Sequence, residues 1–200
     1  SNFAVLSHFA GRDVTVANAR DLVPRAVGAM LDCTREWYPH PVGRRTDEQG
    51  FVYERRDPFN EWVVKRPFEG LEGAAAFVSS EIDRLVNAHD VSGFPQNELQ
   101  RRLRTKARYR GTVLPASAAG VALAHAYIRL GLDTFVYLEA DRPDLVRRWL
   151  SVIHRTTMER LATEEILGQV SKICWIFADL AFKGKLIFST EYLADHGVFS

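Results

Sequence analysis

The fold of this chain is indicated first by the stretch Ile173-Cys-Trp-Ile-Phe177, a continuous apolar run. Charged residues flank it, Lys172 before the run and Asp179 shortly after it. A strand buried on both faces, as in a parallel sheet, has such an unbroken apolar sequence because neither face meets water. The stretch therefore predicts a buried strand of a parallel sheet.

Helical periodicity precedes this strand. Apolar residues recur at helical spacing over five stretches, 19–33, 70–88, 97–108, 118–132 and 142–163. The last stretch gives the strongest signal, because Asp141 is a favourable N-cap and Pro143 suits a first turn. Trp149 lies in its apolar stripe. Helices that alternate with short buried strands predict an α/β architecture.

A short β excursion is expected near residues 47–67. Phe51-Val-Tyr53 and Trp62-Val-Val64 are rich in β-forming residues, and Arg55-Arg-Asp-Pro58 separates them. We interpret the two runs as antiparallel strands. No internal repeat or linker divides the sequence, so residues 1–200 are predicted to form a single domain.

Composition excludes several classes of protein. The 200 residues include 26 basic and 25 acidic side chains, a net charge of +1, which argues against nucleic-acid binding through bulk charge and against a polybasic membrane anchor. Hydrophobic residues make up 46%, enough for a core. No run approaches the length of a membrane span. We expect a soluble cytoplasmic protein without nucleic acid or membrane as a partner.

Asp179 is the first candidate for a functional residue, because it follows the apolar strand. Polar residues at the carboxyl ends of strands line the active sites of α/β barrels. A carboxylate there can accept hydrogen bonds from a substrate or act as a general base. The alternative is structural: Asp179 caps the next turn or pairs with Lys183 or Lys185.

Two further segments could bind an anion. Leu114 to Gly120, which includes Ser117, has small residues that let a ligand approach the backbone before a helix begins; a plain strand-to-helix turn is the favoured alternative. Arg101 to Arg110 contains six basic residues in ten. The favoured alternative there is a solvated helix face over an apolar seam of Leu99, Leu103 and Ala107. No nucleotide or zinc motif is visible.

Three landmarks resemble the uroporphyrinogen decarboxylase superfamily, which contains that decarboxylase and corrinoid-dependent methyltransferases. They are Ala119 to Gly131, Leu138 to Val146 with its acidic-Pro-acidic helix start, and Ile176 to Ser189 with its strand, glycine and helix start. The segment 47–67 is more weakly similar to an excursion in that family. Order and spacing of the landmarks, rather than any single one, make the resemblance.

The resemblance implies a (β/α)8 barrel of the TIM type with a cleft at its C-terminal face. Such a barrel typically takes about 250 residues, so we expect an incomplete or truncated barrel in this 200-residue chain. Tyr127 is similar to the tyrosine that faces the decarboxylase substrate. Asp179 is similar to the second of two aspartates in methyltransferase-like members, with Ala178 at the position of the first.

We therefore assign Asp179 and Tyr127 as catalytic candidates. The substrate-binding candidates are Ser117, Ser189, Arg101 and Arg104, and no residue is assigned to a metal. The resemblance implies methyl transfer from a methylated corrinoid to a thiol or similar acceptor. Its alternatives are decarboxylation of uroporphyrinogen, which needs no cofactor, and a non-catalytic tetrapyrrole- or corrinoid-binding barrel.

The resemblance also implies cofactors and partners. Methyl transfer implies zinc, which activates the thiol, and a corrinoid. The partner is a small-molecule tetrapyrrole or a corrinoid protein. A homodimer is one candidate assembly, and the sequence does not determine the oligomeric state. The family's zinc ligands, a His-x-Cys and a distant Cys, are not visible, and the decarboxylase's early arginine and substrate-gripping aspartate have no convincing match.

Overall fold

The computed structural model describes residues 2–31, 33–34, 38–87, 94–109, 114–115, 117–120, 122–166, 174–177, 181–182 and 185–186. These residues form a mixed α/β structure with seven helices. The helices are α1 (Asn2–Ala10), α2 (Ala19–Met30), α3 (Gly70–Asn87), α4 (Phe94–Arg108), α5 (Ala122–Leu130), α6 (Leu132–Asp141) and α7 (Pro143–Ile166). The strands are β1 (Cys33–Thr34), β2 (Gly43–Thr46), β3 (Val52–Asp57), β4 (Asn60–Lys65), β5 (Leu114–Pro115), β6 (Ser117–Gly120), β7 (Cys174–Phe177), β8 (Ala181–Phe182) and β9 (Lys185–Leu186).

The chain divides into two compact bodies. The first comprises Ser1–Lys65, Val91–Ser117 and Glu164–Cys174, and the second Arg66–Asp90, Ala118–Thr163 and Trp175–Ser200. The single domain over 1–200 stays a prediction. No helix in the described ranges is long and apolar enough to cross a membrane.

The largest sheet of the described residues lies in the first body, with the antiparallel order β2-β3-β4. Pro58 and Phe59 form the turn between β3 and β4. Asp57 Oδ1 fixes this turn by accepting the backbone N–H groups of Phe59 at 2.8 Å and Asn60 at 3.0 Å. The two predicted antiparallel strands are therefore confirmed.

The predicted boundary between these strands is wrong. Arg55-Arg-Asp57 continues β3 instead of belonging to the connection, and a register shift between Glu54 and Asp57 accommodates it. Arg55 stays in the strand because its guanidinium pairs with Glu61 on β4 at 3.0 Å. Charged residues lower strand propensity only weakly, so a cross-strand ion pair can decide the outcome.

The helices of the first body enclose a small apolar core. The helix predicted over 19–33 is confirmed as α2, which buries Val23, Ala26 and Val27, but α2 ends at Met30 and Cys33 belongs to β1. Pro24 lies inside this helix, which begins at Ala19. The whole buried cluster is Leu6, Ala10, Val14, Ala19, Val23, Ala26, Val27 and Tyr109.

Helix α4 is confirmed, but the predicted apolar seam is wrong. Leu103 is 43% exposed, Ala107 is exposed, and the buried positions are Thr105 and Tyr109. Thr105 can be buried because its hydroxyl donates a hydrogen bond to the carbonyl of Arg101 at 3.1 Å. The seam therefore runs along a different face of the helix from the one that hydrophobicity alone selects.

A parallel strand pair joins two distant parts of the sequence in the first body. β1 pairs with β5 in parallel, with Cys33 opposite Leu114 and Thr34 opposite Pro115. β1 has no counterpart among the predicted strands. Two residues are too few for a periodic signal.

The second body has a helical core. α3, α5, α6 and α7 contribute its buried cluster, and the predicted stripes of 70–88 and 142–163 are confirmed. Its largest members are Trp149, Phe135, Ile82, Leu123, Leu130 and Leu138, each exposed by 1% or less. Short strand pairs accompany the helices: β8 with β9, and β6 with β7.

The predicted N-cap at Asp141 is wrong. Asp141 is the last residue of α6, a helix that the sequence interpretation missed. The carbonyl of Arg142 accepts the first α7 hydrogen bonds, from Leu145 at 3.1 Å and Val146 at 3.2 Å. Pro143 does begin α7, as predicted, because a missing N–H costs nothing at that position.

Candidate functional site

The structure describes four of the six predicted site residues: Ser117, Arg101, Arg104 and Tyr127. Asp179 and Ser189 lie outside the described residues. Ser117 is the first residue of β6, and β6 is hydrogen-bonded to β7, the strand whose sequence continues to Asp179. The segment from Leu114 to Gly120 therefore contains two short strands, β5 and β6, rather than only a turn.

Arg101 and Arg104 lie on α4 in the first body, and both side chains are exposed. Residues three and seven positions apart share a helix face, which adds Arg108 to the same side. Arg104 Nε donates to the carbonyl of Gln100 at 3.2 Å, and Arg108 Nη1 donates to the Tyr38 hydroxyl at 3.0 Å. The result is an exposed basic face over about two turns of helix.

Tyr127 lies on α5 in the second body. Its ring is half-buried and packs against the helical core. Its backbone carbonyl accepts the N–H of Gly131 at 2.8 Å, which closes the last turn of α5. Tyr127 therefore contributes to packing, and its predicted role toward a substrate stays a prediction.

The second body also contains a pocket that the sequence did not predict. Its volume is about 280 Å³. The walls are Arg66, Phe68, Gly70, Leu130, Gly131, Leu132, Asp133 and Thr134. The pocket lies at the corner where α5 ends and α6 begins, so its shape depends on the backbone of Gly131.

Arg66 is held in this pocket by the end of α5. Its Nε donates to the carbonyl of Arg129 at 2.9 Å, and its Nη2 donates to the carbonyl of Ile128 at 3.3 Å. These carbonyls belong to the last turn of a helix, where they lack partners within the helix and carry partial negative charge. Burial lowers the pKa of Arg66 from its ordinary value, since water is removed from the cation.

Gly131 makes room for the Arg66 guanidinium. A Cβ at this position would lie 3.1 Å from Cζ and from Nη2 of Arg66. The φ angle of Gly131 is +85°, which side-chain-bearing residues rarely adopt. Sequence reasoning placed a helix end near Gly131, but the arginine that packs on it lies more than sixty positions earlier, where no local pattern could reveal the contact.

The described residues offer no metal centre: no group of three or more His, Cys, Asp or Glu side chains among them could hold an ion. No protein-family model, no curated protein and no solved structure matches the chain.

Proposed function

We propose that the chain is an enzyme of the uroporphyrinogen decarboxylase superfamily, built on a (β/α)8 barrel, that transfers a methyl group from a methylated corrinoid to a thiol or similar acceptor. The observation that carries the proposal is the order and spacing of the three landmarks between Ala119 and Ser189. Cytoplasmic localisation belongs to the same proposal.

The parallel pairing of β1 with β5 supports a barrel. Parallel neighbours require a crossover connection, which in α/β folds contains a helix. Between β1 and β5 the sequence provides the β2-β3-β4 excursion, α3 and α4. A strand, a helical crossover and a parallel neighbour form the unit that a barrel repeats.

The second landmark also has a supporting structural counterpart. Its acidic-Pro-acidic sequence, Asp141 to Asp144, lies at the corner between α6 and α7, and Pro143 begins the longest described helix. The third landmark begins within β7, which has β6 as its hydrogen-bonded neighbour. Ser117 begins β6, and Asp179 follows β7 in the sequence.

In this proposal Asp179 positions the corrinoid or the acceptor by accepting hydrogen bonds, and Tyr127 orients the bound molecule. The described residues supply no zinc ligand set, and the sequence contains no His-x-Cys. No step is therefore assigned to zinc in this chain.

Decarboxylation of uroporphyrinogen is the second candidate, favoured by the exposed basic face of α4. A polycarboxylate substrate needs compensating positive charge, and Arg101 and Arg104 are exposed side by side. A carboxylate of the enzyme, with Asp179 as the candidate, would accept the pyrrole N–H groups and stabilise the protonated intermediate.

The test is an absorbance titration of the whole chain with methylcobalamin and a thiol, with zinc present. We expect conversion to the demethylated corrinoid spectrum. Asp179→Asn should slow conversion at least about tenfold, a loss of one charge-assisted hydrogen bond, with an unchanged melting temperature. Asp144→Asn is the matched control, because Asp144 is 96% exposed and pairs only with its neighbour Arg147.

Other outcomes separate the alternatives. Turnover of uroporphyrinogen without added metal, in the absence of methyl transfer, would replace the proposal with the decarboxylase. Tight tetrapyrrole or corrinoid binding without either turnover would indicate a non-catalytic binding protein. A lowered melting temperature of Asp179→Asn with unchanged conversion would make Asp179 a structural residue.

A further inference from the structure

The Arg66 pocket contains a cation without an anionic partner. No carboxylate of the described residues forms an ion pair with Arg66, and its two hydrogen bonds go to backbone carbonyls. Partly buried arginines usually gain a carboxylate in exchange for lost water. Arg66 loses contact with water but gains no carboxylate among the described residues. Part of its guanidinium is therefore available to a ligand.

The available part has a defined geometry. A guanidinium has five N–H groups. Four of them form two parallel pairs, one along each of two edges of the planar group, and the fifth points away from both edges. The edge formed by Nε and Nη2 is directed at the carbonyls of Arg129 and Ile128. The other edge, formed by Nη1 and the second N–H of Nη2, remains. Two parallel N–H groups of this kind match the two oxygens of one carboxylate.

The remaining walls restrict the ligand further. Phe68 and Leu132 supply the apolar surface beside the guanidinium, whereas the Leu130 side chain is buried in the helical core. The Thr134 hydroxyl has no hydrogen-bond partner among the described residues and can donate to or accept from a ligand. A volume of about 280 Å³ suits a small molecule rather than a polymer.

Asp133 limits the charge that the pocket accepts. Its carboxylate lines the same pocket and forms no ion pair among the described residues. A ligand with one negative charge can pair with the two N–H groups of Arg66. A second negative charge on the ligand would be repelled by the Asp133 carboxylate. The walls therefore favour monoanions over phosphate esters and dicarboxylates.

We propose that the pocket formed by Arg66, Phe68, Leu132 and Thr134 binds the carboxylate of a small monocarboxylic acid that has an apolar body. The acid docks end-on against the free edge of the guanidinium, with its apolar part on Phe68 and Leu132. Gly131 is required because any side chain there would displace the guanidinium. This site is independent of the activity proposed above.

The test uses benzoate as the probe, titrated into the whole chain and followed by the amide NMR signal of Thr134 and the Nε signal of Arg66. Benzamide and phenyl phosphate serve as neutral and doubly charged matches. We expect saturable shifts with benzoate, and at least about tenfold weaker binding of both matches, the equivalent of one charge-assisted hydrogen bond. Equal binding of benzamide, or no saturation with benzoate, would overturn the proposal.

Variants test the residues separately. Arg66→Lys keeps a charge but removes the fork, so benzoate should bind at least about tenfold more weakly. Arg142→Lys is the matched control on the same body, since Arg142 pairs with Glu72, and its benzoate affinity should be unchanged. If Arg66→Lys does not fold, Asp133→Asn decides: benzoate must bind more tightly and phenyl phosphate must become a ligand. Weaker benzoate binding by Asp133→Asn would contradict the proposal.

Discussion

The β2-β3-β4 sheet and the helical core of the second body are held together by different interactions. In the sheet, most side chains are exposed or half-buried, and the strands are joined by ion pairs such as Arg45 with Glu61 and Arg44 with Glu54. In the helical core the contacts are apolar, with Trp149 and Phe135 fully buried. Charge pairs are directional and help to set the register of the strands, whereas burial of apolar surface supplies most of the free energy of folding.

The difference in magnitude follows from solvent. An exposed ion pair is worth roughly 0–1 kcal/mol because water and salt screen it. Truncating a buried aromatic side chain costs about 3–5 kcal/mol because apolar area is lost and a cavity remains. We therefore expect substitutions in the two regions to differ strongly even where the residue type is the same.

Two tryptophans give the largest contrast. Trp149→Ala should lower the free energy of unfolding by about 3–5 kcal/mol, since this side chain is 0% exposed. Trp62→Ala on β4 is the matched control: Trp62 is 49% exposed, and its loss should cost less than about 1 kcal/mol. Urea unfolding followed by circular dichroism measures both. Similar losses for the two variants would show that burial does not separate the regions.

Asp47 accepts three hydrogen bonds in the turn before β3 and from β3 itself. Its Oδ1 accepts the N–H groups of Gln49 at 3.0 Å and Phe51 at 2.9 Å, and its Oδ2 accepts the Tyr53 hydroxyl at 3.1 Å. Asp47→Ala should lower the free energy of unfolding in urea by about 1–3 kcal/mol, because half-buried donors lose their acceptor. Asp144→Ala, at an exposed carboxylate, should cost far less. Equal costs would show that the turn does not depend on Asp47.

This contrast also explains how much of the fold could be predicted. The stripes of α3 and α7 were predictable because one face of each helix is apolar and buried. α6 was missed because no capping residue marks its start: Gly131 precedes it without a side-chain hydrogen bond. β1 was missed because two residues show no alternation.

The candidate site was less predictable than the fold. Arg66 reaches the end of α5 across more than sixty positions of sequence, and no local periodicity encodes such a contact. The basic residues of α4 were visible as a run, and the structure confirms that Arg101 and Arg104 are exposed. Asp179, which lies outside the described residues, stays a prediction.

Glu61 tests the ion pairs of the sheet directly. It accepts hydrogen bonds from Arg45 Nη2 at 2.5 Å and Arg55 Nη2 at 3.0 Å, and its side chain is 21% exposed. Glu61→Gln should lower the free energy of unfolding by no more than about 1 kcal/mol. The loss should shrink in 1 M salt, which screens the wild-type pairs. A large loss of stability that does not depend on salt would show that the ion pairs of Glu61 behave as buried ion pairs.

Acid should weaken the sheet before the helical core. The Arg45 guanidinium holds the pKa of Glu61 below its ordinary 4.5, and the arginines Arg56 and Arg44 do the same for Glu54. Lowered folded-state pKa values mean that these pairs contribute fully above the unfolded pKa and lose their contribution as pH falls through the folded pKa. We expect sheet amide signals to change below about pH 4.5 while the Trp149 indole signal stays constant. Simultaneous changes would contradict the separation.

The corner between α6 and α7 is one residue long, and this restricts how the sequence can vary in length. Arg142 alone ends one helix, by donating to the Leu138 carbonyl at 2.7 Å, and begins the next. One inserted residue would extend a helix and rotate everything beyond it by about 100°, turning Trp149 away from its partners. Homologues should therefore differ in residue type at this corner but not in residue number.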